Sequence, residues 1–344
     1  RIIEQLSIYN GKLIEPEQTL IIFDEVQEMP RALTSLKYFC EEAPEYVICC
    51  AGSLLGIALH EGTSFPVGKT DFLHLYPLSF KEFLIANEEK MLVDYIDKGN
   101  RNLGAFENRL TDYLKKYMII GGMPAVVMEW LDSKDYNKVN RIQQELIAAY
   151  QKDFSKHAPN SMVEKFRYIW NSIPSQLAKE NKKFVYGLVR EGARAREYED
   201  AIMWLCDAGE IIRTHNVSKP DIPISAYADL KSFKVFLLDV GLMRAMSQEL
   251  QNYSDVLETN YYWSSSATAE VDFLVSDGWD VYPLEVKAGV TMNAKSLKLY
   301  REKYSPKWAL RTSLLPYERN EVSKTINIPL YMLFALGKEL EAES

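Results

Sequence analysis

TLIIFDEVQEMP, residues 19–30, is the stretch on which the reading of the fold turns. Leu20, Ile21, Ile22 and Phe23 form a short β-branched and aromatic run, the composition of a buried central strand. Asp24 and Glu25 follow at once, and because an unpaired carboxylate is costly to bury, the strand must surface there. In open α/β sheets the C-terminal edge of the strands is where ligands collect. A strand end of this kind can equally supply acids that only cap the next helix, and the residues alone leave both readings open.

The neighbouring segments place this strand in an α/β domain. ALTSLKYFCEEAP has helical spacing with a proline stop, and YVICCAGS is a second apolar strand. DFLHLYPLSFKEFLIANEE predicts a third short strand, a proline turn and a helix capped by Ser79, with Glu82 at capping-box spacing. Such alternation predicts a parallel sheet with helices on its faces. Residues 108–149 read as helices broken by IIGGMP, and a domain boundary is expected at residues 151–160, where polar residues and Pro159 interrupt the pattern. Beyond it, IPSQLAKENKKF and ARAREYEDAIMWLCDAGEI predict two helices, the second with a glycine-containing C-cap, and IIRTHNVSKP predicts a hairpin strand. Helix, helix and strand pair fit a winged-helix layout. The last third predicts strands on either side of Asp277-Gly278, the helix SLKLYREKY, and the strands WALRTS and PLYMLFA, a small α/β domain.

The 344 residues suffice for two or three domains, and 47% hydrophobic with 26% charged residues is ordinary for a globular protein. A formal charge of -8 argues against a broad nucleic-acid-coating surface, so any nucleic-acid contact should be local. Cys40, Cys49, Cys50 and Cys206 lack CxxC spacing and are expected to be reduced core residues. No apolar stretch reaches the length of a membrane span and no signal-peptide pattern opens the chain, so a cytoplasmic location without a membrane partner is expected. His60, His74, His157 and His215 are scattered without ligand spacing, and no zinc site is expected.

Two acidic groups carry the chemistry. In a P-loop NTPase, a strand ending in Asp-Glu orients Mg2+ through the Asp and polarises the attacking water through the Glu. Asp24 and Glu25 fit those roles, and Ser53 at the end of the next strand fits a residue that senses the γ-phosphate. The GK[ST] triplet Gly68-Lys69-Thr70 is not a phosphate loop: Gly62 lies one residue too far upstream, Pro66 stiffens the segment, and a strand-like run follows where a helix should begin. In the last third, Asp272 lies in AEVDFLV, and Glu285 and Lys287 lie in PLEVK. Alternation puts Glu285 and Lys287 on one strand face, and Asp272 can join them across a hairpin. Two carboxylates with a lysine can hold Mg2+ and steady a hydroxide for phosphodiester attack, so Asp272 and Glu285 join Asp24 as candidate metal ligands. A solvated strand face is the plain alternative for EVK.

Taken in order, FDEVQEMPRALTSLKYFCEEAPEY, CCAGSLLGIALHEGTSFPVGKTDFLHLYPLSFKEF, SIPSQLAKENKKFVYGLVREGARAREYEDAIMWLCDAGEI, FKVFLLDVGLMRAM and AEVDFL with PLEVKAG resemble a family of prokaryotic ATPases of the AAA+ superfamily. That family joins an N-terminal P-loop domain to a winged helix and a C-terminal domain resembling PD-(D/E)xK nucleases. The resemblance implies a P-loop ATPase domain over residues 1–155, a winged-helix-like region over 156–246 and a nuclease-like α/β domain over 247–344. It implies ATP and Mg2+ as cofactors, Asp24 and Glu25 as the Walker B pair, Ser53 as the sensor, and assembly into a homo-oligomer or with a partner protein. The family's Walker A loop would precede Arg1, so an upstream segment is expected. The stretch SQELQNYSDVLETN is shorter than its counterpart in the family, leaving Glu258 to stand in for the first acid of the nuclease-like site.

Lys179, Lys182, Lys183, Arg190, Arg194 and Arg196 form a basic row that can touch DNA phosphates, although Glu180, Glu191, Glu197 and Glu199 interleave as on a solvated face. Tyr261, Tyr262 and Trp263 are expected to pack in the core rather than stack on bases. The leading expectation is an ATPase that couples nucleotide state to nucleic acid or to regulation. The alternatives are a Mg2+-dependent nuclease regulated by ATP, and a non-enzymatic DNA-binding or scaffold protein.

Overall fold

A computed structural model describes residues 2–52, 68–157, 160–179, 182–247, 261–264, 269–277, 280–287 and 295–341. The chain divides into two compact units, residues 1–75 with 203–210, and residues 76–202 with 211–344.

In the first unit, strand β1 (Leu20–Phe23), the helix Pro30–Glu42 and strand β2 (Val47–Cys50) follow one another, and β1 pairs with β2 in parallel. Strand, helix and parallel strand are as the sequence predicts. Ile21 and, on the helix, Leu33 and Phe39 are buried, and the Phe23 ring lies 6.2 Å from that of Phe39. β1 is not the fully buried central strand its composition suggests: Leu20 and Ile22 are exposed, because among the described residues the strand has one neighbour and a helix on one side. Residues 71–76 form no strand, and Leu73 and Leu75 are exposed. The cysteines are not the core residues expected; Cys40 and Cys49 are exposed, and Cys50 and Cys206 half-buried.

The second unit packs helices against a mixed sheet. The helix Phe80–Ala86 starts at the predicted capping box, with Ser79 Oγ accepting from the Glu82 N–H and Glu82 Oε2 accepting from the Ser79 N–H at 2.8 Å. The helices Glu107–Ile120 and Pro124–Ser133 are separated at Gly121-Gly122, as the IIGGMP break predicts. Two helices differ from their sequence reading. Tyr136–His157 continues through residues 151–157, where an interruption is expected, and IPSQL forms the last turns of the longer helix Asn160–Leu177, with Pro174 inside it.

The strands are β3 (Ile211–Val217), β4 (Ala228–Leu237), β5 (Tyr261–Ser264), β6 (Glu270–Asp277), β7 (Asp280–Val286), β8 (Ala309–Ser313), β9 (Glu318–Asn320) and β10 (Thr325–Pro329). Among the described residues they make one eight-stranded sheet in the order β4-β3-β5-β6-β7-β8-β10-β9. The predicted hairpin β3–β4 is present, but β3 also pairs in parallel with β5, so this hairpin is the edge of the large sheet. PLYMLFA is a helical turn, Leu330–Ala335, and the strand is the TINIP run before it. Leu284, Leu310, Ile326 and Ile328 share one core with Leu110, Leu114 and Tyr117 of the helices. A second core joins Val217, Trp263, Val271 and Leu274 to Leu297 and Tyr300 of the helix Lys295–Tyr304, and Tyr262 and Trp263 are buried as expected. No helix of the described residues is long and apolar enough to cross a membrane.

Helices and sheet meet at a buried carboxylate. Asp239 stands at the start of the helix Val240–Ser247; its Oδ1 accepts from the Leu242 N–H at 2.9 Å and its Oδ2 from the Gly122 N–H at 2.6 Å. Glycine is required around it: a Cβ on Gly121 would lie 2.2 Å from Asp239 Oδ1, and one on Gly241 would lie 2.3 Å from the Ile120 carbonyl. Burial pushes the Asp239 carboxyl up to about 6, opposed by the N–H groups of Gly122, Leu242 and Gly241. A folded-state value raised in this way stabilises fully below the ordinary carboxylate range, and that stability is lost as pH rises through about 6. Denaturant titrations should therefore show unfolding free energy falling between pH 4 and 6 by on the order of 3 kcal/mol from this group. In Asp239→Asn that component should vanish, leaving the unfolding free energy flat across this window.

Candidate functional site

The first acidic group lies at the C-terminal end of β1. Asp24 and Glu25 are exposed, as expected for carboxylates at a sheet rim. The rim is fixed by two backbone bonds, Ala51 N–H to the Phe23 carbonyl at 2.8 Å and Val26 N–H to the Ala51 carbonyl at 3.0 Å, while Val26 is buried beneath the turn. Glu25 has φ of 47°, a left-handed conformation that a side-chain-bearing residue seldom holds, and its N–H donates to Asp24 Oδ1 at 3.0 Å. Strained backbone of this kind clusters at functional sites. Ser53 lies outside the described residues, and Lys69 of the GKT triplet pairs with Glu41 on the helix Pro30–Glu42.

The second group is assembled in the second unit. Lys287 Nζ lies 2.5 Å from Glu285 Oε1, and Asp272 Oδ2 accepts from the Val286 N–H at 2.9 Å, so the structure brings Asp272, Glu285 and Lys287 together. Glu285 is only 3% exposed, and among the described residues its Oε2 is buried without a hydrogen-bond partner. Burial pushes the Glu285 carboxyl up; Lys287 opposes this, and Asp272 adds to it. Such a buried carboxylate oxygen, with a second carboxylate beside it, suits a hard cation, and Mg2+ typically takes one or two carboxylates with water completing its shell. Among the described residues no group of three or more His, Cys, Asp or Glu side chains is placed to hold a metal ion, and Glu258 lies outside them.

The register around Asp272 carries a feature that alternation alone does not predict. Tyr261 pairs with Leu274 and Trp263 with Val271, so β6 takes three steps where β5 takes two. Cross-strand partners share a face, and the extra residue therefore turns Asp272 to the face of Leu274, Pro283 and Glu285, away from the face of Glu270 and Ser264. On that opposite face Lys234 Nζ lies 2.6 Å from Glu270 Oε1 and 4.3 Å from the Tyr262 ring centroid. Burial pushes the Glu270 carboxyl up, opposed by Lys234 and also by Lys182. Sequence reasoning passed over this pair; the signal was a lysine in the apolar run FKVFLL and a glutamate opening EVDFLV.

The basic row spans different surroundings. Lys182 is half-buried and its charge acts on Glu270, whereas Lys179, Lys183, Arg190, Arg194 and Arg196 are exposed. The Arg190 guanidinium lies 5.8 Å from the Tyr168 ring centroid, and Glu197 Oε2 accepts from the Arg194 N–H.

Three family models match the chain: the AAA domain at residues 2–84, a domain of unknown function (DUF8612) at residues 111–258, and a domain of unknown function (DUF4143) at residues 244–331. The N-terminal segment, which holds Asp24 and Glu25, is thus similar to the AAA domain. No curated protein matches the chain. Among solved structures, the Walker-type ATPase paby2304 of Pyrococcus abyssi is similar at 15% identity and a TM-score of 0.41, over 71% of this chain and 65% of that one.

Removing the cation beside Glu285 should be costly. Lys287→Met leaves a buried carboxylate with only the charge of Arg311 against it, which should lower stability at pH 7 by on the order of 3 kcal/mol. The Glu285 carboxyl, already raised, rises further, so the loss should shrink as pH falls towards 4, measured by urea unfolding of variant and parent.

Proposed function

We propose that the protein binds and hydrolyses ATP in its AAA-type segment and couples the nucleotide state to its C-terminal part. The division is that of the sequence reading: ATPase over residues 1–155, winged-helix-like region over 156–246, nuclease-like domain over 247–344. What carries this reading is the Asp24–Glu25 pair at the end of a parallel strand, inside the segment that matches the AAA domain, with Glu25 held in a left-handed backbone. Mg2+ bound with ATP supplies charge neutralisation of the phosphates. Asp24 would hold that ion, Glu25 would polarise the attacking water, and Ser53 would sense the γ-phosphate. The basic row of Lys182, Lys183, Arg190, Arg194 and Arg196 would serve DNA, and a second copy or partner protein would complete the assembly. In the full-length protein, Glu25→Gln should retain ATP binding and lose turnover by about 100-fold or more. Unchanged turnover would refute the role of Glu25.

The second reading is a Mg2+-dependent nuclease regulated by ATP, and the buried, unpartnered Glu285 Oε2 beside Asp272 and Lys287 favours it. Asp272 and Glu285 would hold the ion, and Lys287 would steady the hydroxide. DNA cleavage with Mg2+ or Mn2+ should then disappear in Asp272→Ala and in Lys287→Ala, and a protein that cuts no form of DNA with either ion would exclude it.

A further inference from the structure

We infer that the Lys234–Glu270 pair is a positioning device for the second acidic site, clamping β6 in the register that turns Asp272 towards Glu285. The use of those carboxylates for a metal rests on the second reading above; the clamp does not.

Three observations support it. First, the pair sits where the register changes. Glu270 pairs with Ser264 and Val271 with Trp263; the added residue follows immediately, and Asp272 emerges on the opposite face. A strand that slipped back by one residue would lose the extra step and return Asp272 to the face of Glu270, since side-chain direction has a period of two. Second, the clamp is long and buried. Lys234 is 2% exposed on β4 and reaches past β3 and β5 to Glu270, lying over the Tyr262 ring, while Tyr262 Oη and Ser232 Oγ are 3.1 Å apart. Tyr262 is the β5 residue between the two pairings that define the shift. Third, desolvation makes such a pair a weak source of stability; an apolar pair would hold two strands together as well. What an apolar pair lacks is a directional demand on one residue of β6, and a single buried polar interaction is the kind of element that fixes register.

The test separates placement from packing and from metal use. Lys234→Met alone would strand a buried glutamate, so the informative variant is the double substitution Lys234→Met with Glu270→Gln in the full chain. The direct reporter is the Val286 amide, whose N–H donates to Asp272 Oδ2. In the folded double variant, with thermal stability equal to or above that of the parent, hydrogen exchange at Val286 should speed up by about 10-fold or more. Nucleotide-free Mn2+ titration, counting only the uptake that Asp272→Ala removes, should show affinity about 10- to 100-fold weaker. Unchanged Val286 exchange in a folded double variant overturns the proposal. Faster exchange in the variant, with a parent protein that takes up no Mn2+, upholds the clamp and overturns the metal reading.

Discussion

The second unit depends on one carboxylate placed where three backbone segments converge. Asp239 gives both oxygens to main-chain N–H groups, one from its own helix and one from Gly122. Neighbouring polar groups close the same junction: Leu78 N–H donates to the Gly122 carbonyl at 2.7 Å, the Tyr117 hydroxyl to the Leu78 carbonyl, and the Gln143 amide to the carbonyls of Ile119 and Ile120. A helix ending inside a protein leaves carbonyls that water cannot reach, and here side chains satisfy them. The apolar helix faces then share one core with β7, β8 and β10.

The sheet built on that junction carries charged groups on both faces, and the Asp272 charge acts on Glu270 as well as on Glu285. One face carries Lys234 and Glu270, closed on each other over Tyr262. The other carries Asp272, Glu285 and Lys287, where one carboxylate oxygen remains unsatisfied. A buried carboxylate oxygen without a hydrogen bond is a place where water or an ion fits. The two acidic groups on β6 and β7 thus have different chemistry despite lying two residues apart along one strand.

Much of this was legible in the sequence because short-range rules govern it. Ser79 and Glu82 announce a helix start; Gly121 and Gly122 announce a break; i and i+2 alternation brings Glu285 and Lys287 together. The parallel β1–β2 unit and the exposed acids at its rim follow from the apolar run ending at Asp24. Longer-range features were hidden. Nothing local tells that β6 carries an extra residue opposite Tyr262, yet this decides the face of Asp272. Lys182 reads as one of a basic row, and only the fold sends its charge to Glu270. PLYMLFA has strand composition, but TINIP takes the place beside β8, and the proline leaves the apolar run to turn. The IPSQL segment misleads for a related reason: Pro174 lies inside a helix that packing carries through it. Ser53 and Glu258 lie outside the described residues.

The core of the second unit also sets the order in which a nascent chain can finish folding. Leu110, Leu114 and Tyr117 share a core with Ile326 and Ile328, so the helices must wait for strands synthesised about 200 residues later. At translation speeds of about 5–20 residues per second, that is a delay of roughly 10–40 s with greasy helix faces uncovered. The helix faces behind Gly122 therefore stay uncovered until β10 has been made.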